Sequence, residues 1–172
     1  MIREMWQMAA TASLAGILAC AGQGDEQAAA IPEPAVPMPS AADAVLPIMN
    51  AYAMAQTAFA HGDVRMYVSV FTDSATLFVP GYGRMAGRNV IARDFAREGQ
   101  RLGIRNTRRI SAGRYIEGRE LVDSGTYVIE AEPPFADSTI PSSGRYWTRW
   151  RHLPAGIWVI VTDSIADPGG RP

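Results

Sequence analysis

Residues 58–81 read AFAHGDVRMYVSVFTDSATLFVPG, and three kinds of local signal follow one another within them. The stretch opens in an apolar, alanine-rich run that favours helix, and it breaks at His61-Gly62-Asp63. Gly62 suits the left-handed residue that ends a helix, and the Asp63 carboxylate can cap the next one. VRMYVSVF then predicts a second, short helix ending near Thr72-Asp73. ATLFVP reads as a strand, closed by the turn residues Pro80-Gly81-Tyr82-Gly83.

Working outward, residues 41–60 extend the first helix upstream. Leu46, Met49, Ala53, Gln56 and Ala60 step at three or four, and Val45, Ile48, Tyr52, Ala55 and Phe59 form a second stripe beside them. A helix apolar on so much of its surface is expected to be sandwiched. Downstream, GRNVIARDFAREGQRLG is helical by its spacing, with Ile91, Phe95 and Leu102 on the buried stripe. Arg93, Arg97 and Arg101 stand beside Asp94 and Glu98 on its polar side. After Gly103 the pattern is strand-like over 104–117, 119–132, 144–153 and 157–165, with turns at Glu117-Gly118 and Pro154-Ala155-Gly156. Two helices, a strand, a helix and a four-stranded antiparallel meander make an α+β design, with three helices on one face of a curved sheet.

Composition narrows the function classes. The chain has 172 residues, 48% hydrophobic and 19% charged, with a formal net charge of −1. That suits one domain with a real core and gives no global argument for nucleic acid. Every basic residue is Arg and none is Lys, which fits codon usage in a GC-rich genome better than phosphate chemistry. Between residues 84 and 119 arginines outnumber acids, and a solvated basic surface is expected there. No Gly-rich phosphate loop follows a strand, and no Gly-x-Ser-x-Gly elbow occurs. His61 and His152 are too few for a conventional zinc site, so neither metal nor cofactor is expected.

The front end reads as an address. Arg3 precedes an apolar run from Met8 to Ala19, which is of signal-peptide length and too short to span a bilayer. Ile17-Leu18-Ala19-Cys20 resembles a bacterial lipobox, and Cys20 is the only cysteine. Residues 1–19 are therefore expected to be a signal peptide and Cys20 to carry lipid. Residues 20–40, with prolines 32, 34, 37 and 39, read as a tether. The domain follows over 41–167 and a short tail over 168–172. The expected location is the bacterial envelope, as an outer-membrane lipoprotein facing the periplasm. Secretion as a soluble protein is the alternative.

The order and punctuation of the domain resemble the nuclear transport factor 2-like superfamily, in particular its SnoaL-like and ketosteroid-isomerase-like members. Residues 58–81 carry the likeness together with RMAGRNVIARDF (84–95), LVDSGTYVIE (121–130) and YWTRWRHLPAGIWVIVTD (146–163). The resemblance implies a cone with a central pocket, often paired as a homodimer through the sheet. It also implies where isomerase residues would stand. The base would fall at Val79, the second acid near Thr148, and the helix tyrosine near Ala55, with Tyr52 almost a turn earlier. None of those positions holds the required group, so that isomerase chemistry is not expected.

Strand alternation puts Tyr146, Thr148 and Trp150 on one face and Arg145, Trp147, Arg149 and Arg151 on the other. If the Thr148 position faces the cone, as the resemblance implies, the first three line the pocket with Val79 and Tyr82. Such walls suit a small apolar or amphipathic ligand. Asp123 and Asp163 lie among apolar strand neighbours. They could serve as bases with Tyr82, since desolvation favours the neutral acid, or pair with arginines. Which face of 119–132 lines the pocket is left open. Three readings therefore stand: a ligand-binding domain, an enzyme of the same fold (isomerase, cyclase or hydrolase), and a structural dimerisation module. Nucleic acid is not an expected partner.

Overall fold

The computed structural model describes residues 37–134 and 138–167. The signal-like segment with Cys20, most of the tether, and the 168–172 tail lie outside the described residues. Ser40 and Asp43 open the fold by exchanging bonds. The Ser40 hydroxyl donates to Asp43 Oδ2 (2.6 Å), and Asp43 N–H donates back to Ser40 Oγ (3.2 Å). The first helix, α1 (Val45–His61), ends at Gly62 with φ 66°, and Asp63 accepts from Met66 N–H at 2.9 Å to start α2 (Val64–Val68).

Then follow β1 (Phe71–Val79), β2 (Gly83–Ala86), α3 (Arg88–Leu102), β3 (Ile104–Glu117), β4 (Glu120–Ala131), β5 (Ile140–His152) and β6 (Trp158–Ala166). They form one six-stranded sheet in the order β2-β1-β6-β5-β4-β3, antiparallel except where β1 runs parallel to β6. Register shifts put extra residues into β3 and β6 and interrupt the β1–β6 pairing. Each bulge bends its strand and raises the local twist, which curls the sheet around the helices. The result is an α+β cone, with the sheet curved around the helices.

Aromatic contacts fasten the helices to the sheet. Tyr67 of α2 stacks on Phe95 of α3 at 4.4 Å between ring centroids. Phe59 of α1 meets both rings edge-on at 4.7 and 4.8 Å, and Phe71 of β1 closes the cluster at 5.3 Å from Tyr67. Such pairs add about 0.5–1.5 kcal/mol each beyond their burial.

Three expectations need correction. The first helix is not sandwiched: Ile48, Ala51 and Ala58 are buried, whereas Leu46 and Met49 are 71% and 53% exposed. Its alanines made the two stripes look equally apolar, but only one packs. The second helix ends at Val68 rather than near Thr72-Asp73, because β1 already pairs with β6 at Phe71. The short β2, which hairpins onto β1 through residues 80–82, was not anticipated, since four residues show too little alternation.

Gly103, between α3 and β3, has φ 57°, and a Cβ there would stand 2.1 Å from the Glu132 carbonyl oxygen. Gly103→Ala is expected to destabilise the chain by about 1–3 kcal/mol. Gly113→Ala, where a Cβ meets nothing within 4 Å, is expected to stay within about 0.5 kcal/mol of the parent. Urea denaturation of both variants checks this, and equal midpoints would contradict it.

Candidate functional site

The cone encloses a cavity of about 560 Å³. Phe59, Tyr67, Phe71, Leu77, Phe95 and Ile160 are among its apolar walls, and one part of its polar lining comes from Tyr52, Arg109, Ser111, Arg114, Tyr146 and Asp163. Met49, Ala53 and Tyr82 line it too and are exposed, so they border its opening.

Two carboxylates organise the polar side. Asp123 on β4 is fully buried. Its Oδ1 accepts from Ser111 Oγ at 2.5 Å, and its Oδ2 accepts from Tyr146 Oη at 3.0 Å. Arg114 Nε lies 3.0 Å from Oδ1 but off the hydrogen-bond axis, so that contact is ionic. Asp163 on β6 accepts a forked pair from Arg109, Nη1 to Oδ1 at 2.8 Å and Nη2 to Oδ2 at 2.7 Å. Thr148 Oγ1 donates to the same Oδ1 at 2.8 Å and accepts from Arg109 Nη1 at 2.8 Å. Tyr52 of α1 stands between the two groups, 3.1 Å from Asp123 Oδ2 and 3.0 Å from Thr148 Oγ1.

Arg109 is held from the sides as well, 4.7 Å from the Tyr52 ring centroid and 4.8 Å from that of Tyr146. The electron-rich faces of both rings favour a cation there. Burial works against its charge, but the Asp163 carboxylate more than offsets this and holds the guanidinium well above its ordinary pKa. Burial pushes the Tyr52, Tyr67 and Tyr146 hydroxyls upward, and the Asp123 charge adds to the rise at Tyr146.

The geometry sorts the residues singled out from sequence. Val79, Tyr82 and Tyr146 line the cavity, whereas Thr148 and Trp150 are fully buried and do not line it. Strand alternation does turn both inward, but Tyr52 crosses over them. Its hydroxyl meets Thr148, and its ring lies edge-on to Trp150 at 5.1 Å. Tyr82 is not brought to either aspartate; its hydroxyl accepts from Arg101 at 3.2 Å, beside Glu98, whose carboxyl the Arg101 hydrogen bond holds below the usual range. Asp123 and Asp163 are each paired with an arginine, and Asp163 alone of the two reaches the cavity. On β4 the inward face is that of Asp123, Tyr127 and Ile129.

Arg109, Ser111 and Arg114 are what sequence reasoning missed, since both arginines were read as part of a basic surface. The register shift between Ser111 and Gly113 explains the second. Residues three apart on a regular strand face opposite sides, and the extra residue turns Ser111 and Arg114 to the same side. Gly113 was the one available signal. On the outer face, Arg149 pairs with Glu117 and Glu120, and Arg151 with Glu120.

No protein-family model matches the chain, and no curated protein matches it in sequence. Solved structures do. An NTF2-like superfamily protein from Salmonella enterica serovar Typhimurium is 14% identical with a TM-score of 0.63, over 76% of this chain and 95% of that one. A conserved protein from Planctomyces limnophilus is 17% identical with a TM-score of 0.62, over 73% and 97%. A ketosteroid isomerase-like protein from Erwinia carotovora is 16% identical with a TM-score of 0.60, over 73% and 98%. At these identities the likeness establishes the nuclear transport factor 2-like fold and carries no residue role.

The raised tyrosines set a stability window. A phenol whose folded pKa exceeds its unfolded value keeps its stabilisation below the ordinary pKa of about 10 and loses it as pH climbs above that. The urea midpoint is therefore expected to fall progressively above about pH 10. Tyr52, Tyr67 and Tyr146 are expected to ionise only as the chain unfolds. Tyrosinate absorbance during alkaline titration checks this. Ionisation of all six tyrosines near pH 10 with the fold intact would contradict it.

Proposed function

We propose that this domain holds a small, largely apolar molecule inside its cone, and does so at the bacterial envelope, tethered through a lipid on Cys20. The observation that carries the reading is the cavity of about 560 Å³ with aromatic and aliphatic walls and a short polar stretch. That volume falls within the range of small-molecule sites, and the mixture of walls and placed polar groups is their usual composition. A structural dimerisation module would be expected to fill the same space with side chains.

Support for an enzyme is thinner. Asp163 borders the cavity and lies within hydrogen-bond reach of other polar groups, as a general base must. Its oxygens are taken up by Arg109 and Thr148, and Asp123 sits behind hydroxyls. Val79, where the resemblance would put a base, offers only an apolar wall. Proton transfer or hydrolysis remains the second reading on the strength of Asp163 alone.

The anchor rests on the apolar run to Ala19, the single Cys20 and the proline-rich tether that follows. Pairing with a second copy through the outer sheet face belongs to the same reading. Ile110 and Tyr115 of β3, at 49% and 52% exposure, are apolar groups that such pairing would cover.

Native mass spectrometry of the full chain recovered from the membrane fraction of a bacterial host tests the proposal. A small molecule is expected to travel with the folded protein, to leave on denaturation, and to be lost from Ala55→Trp, which fills the cavity wall. An empty native chain, or equal retention by a folded Ala55→Trp, would count against it.

A further inference from the structure

Hydrogen-bond bookkeeping around Asp123 constrains what the cavity can recognise. A hydroxyl has one hydrogen and two lone pairs. Ser111 spends its hydrogen on Asp123 Oδ1, and Tyr146 spends its own on Oδ2. Tyr52 directs its single hydrogen either to Asp123 Oδ2 or to Thr148 Oγ1, and both lie within the protein. All three hydroxyls line the cavity, and all three have given away their only hydrogen. What they have left for a ligand is lone pairs.

Donors come from the two guanidiniums. Arg109 spends three of its five N–H groups on Asp163 and Thr148, which leaves two. Arg114 lines the cavity with a side chain only 17% exposed, has Nε 3.0 Å from Asp123 Oδ1, and makes no hydrogen bond among the described residues. Its guanidinium therefore faces the cavity with donors unspent. Ser111 and Arg114 both contact Asp123 Oδ1, so these acceptor and donor groups are neighbours around one oxygen.

Charge completes the constraint. Two carboxylates, Asp123 and Asp163, are matched by two guanidiniums, Arg114 and Arg109. An added charge of either sign beside this network would enter a desolvated region whose charges already balance, at considerable cost. Elsewhere on the lining Asp94 and Glu98 pair with Arg97 and Arg101, and Arg108 is exposed. Resting on the reading of the cavity as a ligand site, we infer that the bound molecule is uncharged and carries an alcoholic or phenolic hydroxyl. That hydroxyl donates its one hydrogen to one of the Ser111, Tyr52 and Tyr146 oxygens and accepts from Arg114. The upward-shifted Tyr52 and Tyr146 stay neutral across the physiological range, so the bookkeeping holds there.

Calorimetric titration of the full-length Cys20→Ser chain, which cannot be lipidated, tests this with four probes of one shape. They are 2-naphthol, 2-naphthoate, 2-naphthylmethylammonium and naphthalene. The expected result is that 2-naphthol binds at least about tenfold more tightly than the other three. Ser111→Ala and Arg114→Met, each checked for fold by near-ultraviolet circular dichroism, are expected to lose most of that advantage while leaving naphthalene affinity unchanged. Ser111→Ala removes one small group and keeps the test open if Arg114→Met unfolds. Equal or tighter binding of either charged probe, or of naphthalene, would overturn the hydroxyl assignment and leave the cavity reading standing. Failure of all four to bind would overturn both.

Discussion

A carboxylate with no solvent exposure sits in the middle of a β-strand, and much of the interior is arranged around it. Asp123 cannot be buried alone, because an unpaired charge in the interior costs several kcal/mol. It collects Ser111 and Arg114 from β3, Tyr146 from β5 and Tyr52 from α1. Each partner imposes a condition on the fold. Ser111 and Arg114 can both turn inward only if β3 carries its bulge. Tyr52 reaches the carboxylate only if α1 crosses the sheet at that point. Helix placement, strand curvature and the polar side of the cavity thus follow from satisfying one group.

Asp163 repeats the logic two strands further along, on the far side of β5. Its fork from Arg109 neutralises both charges, while Thr148 and Tyr52 join the two clusters into one network. Networks of this kind rigidify an interior, and removing one member leaves a buried group unpaired. The cavity is accordingly lined on its polar side by groups whose orientations are fixed before any ligand arrives.

Much of the fold was legible because local chemistry and global position agreed. Gly62 and Asp63 do at the α1–α2 junction what their backbone preferences predict, and the later strands alternate cleanly enough to be bounded within a few residues. The failures arose where tertiary pairing overrode local pattern. Phe71 looks like the end of a helix but is claimed by β6, and the exposed stripe of α1, with Leu46, Met49 and its alanines, is nearly as apolar in sequence as the buried one. The site was less legible for a related reason. Alternation correctly turned Thr148 and Trp150 inward, but it could not say that Tyr52 would lie over them. Nor could it foresee that a bulge at Gly113 would carry Arg114 from an apparently solvated basic run into the cavity wall. Inward is not the same as accessible, and the difference is decided by the helix.

What the domain can recognise then depends on which way three hydrogens point. Neutron diffraction from a deuterated crystal of the chain observes this directly. The account predicts the Ser111 and Tyr146 deuterons on the lines to Asp123, the Tyr52 deuteron towards Asp123 or Thr148, and none directed into the cavity. A deuteron on Asp123 itself, or a hydroxyl deuteron pointing into the cavity, would contradict it.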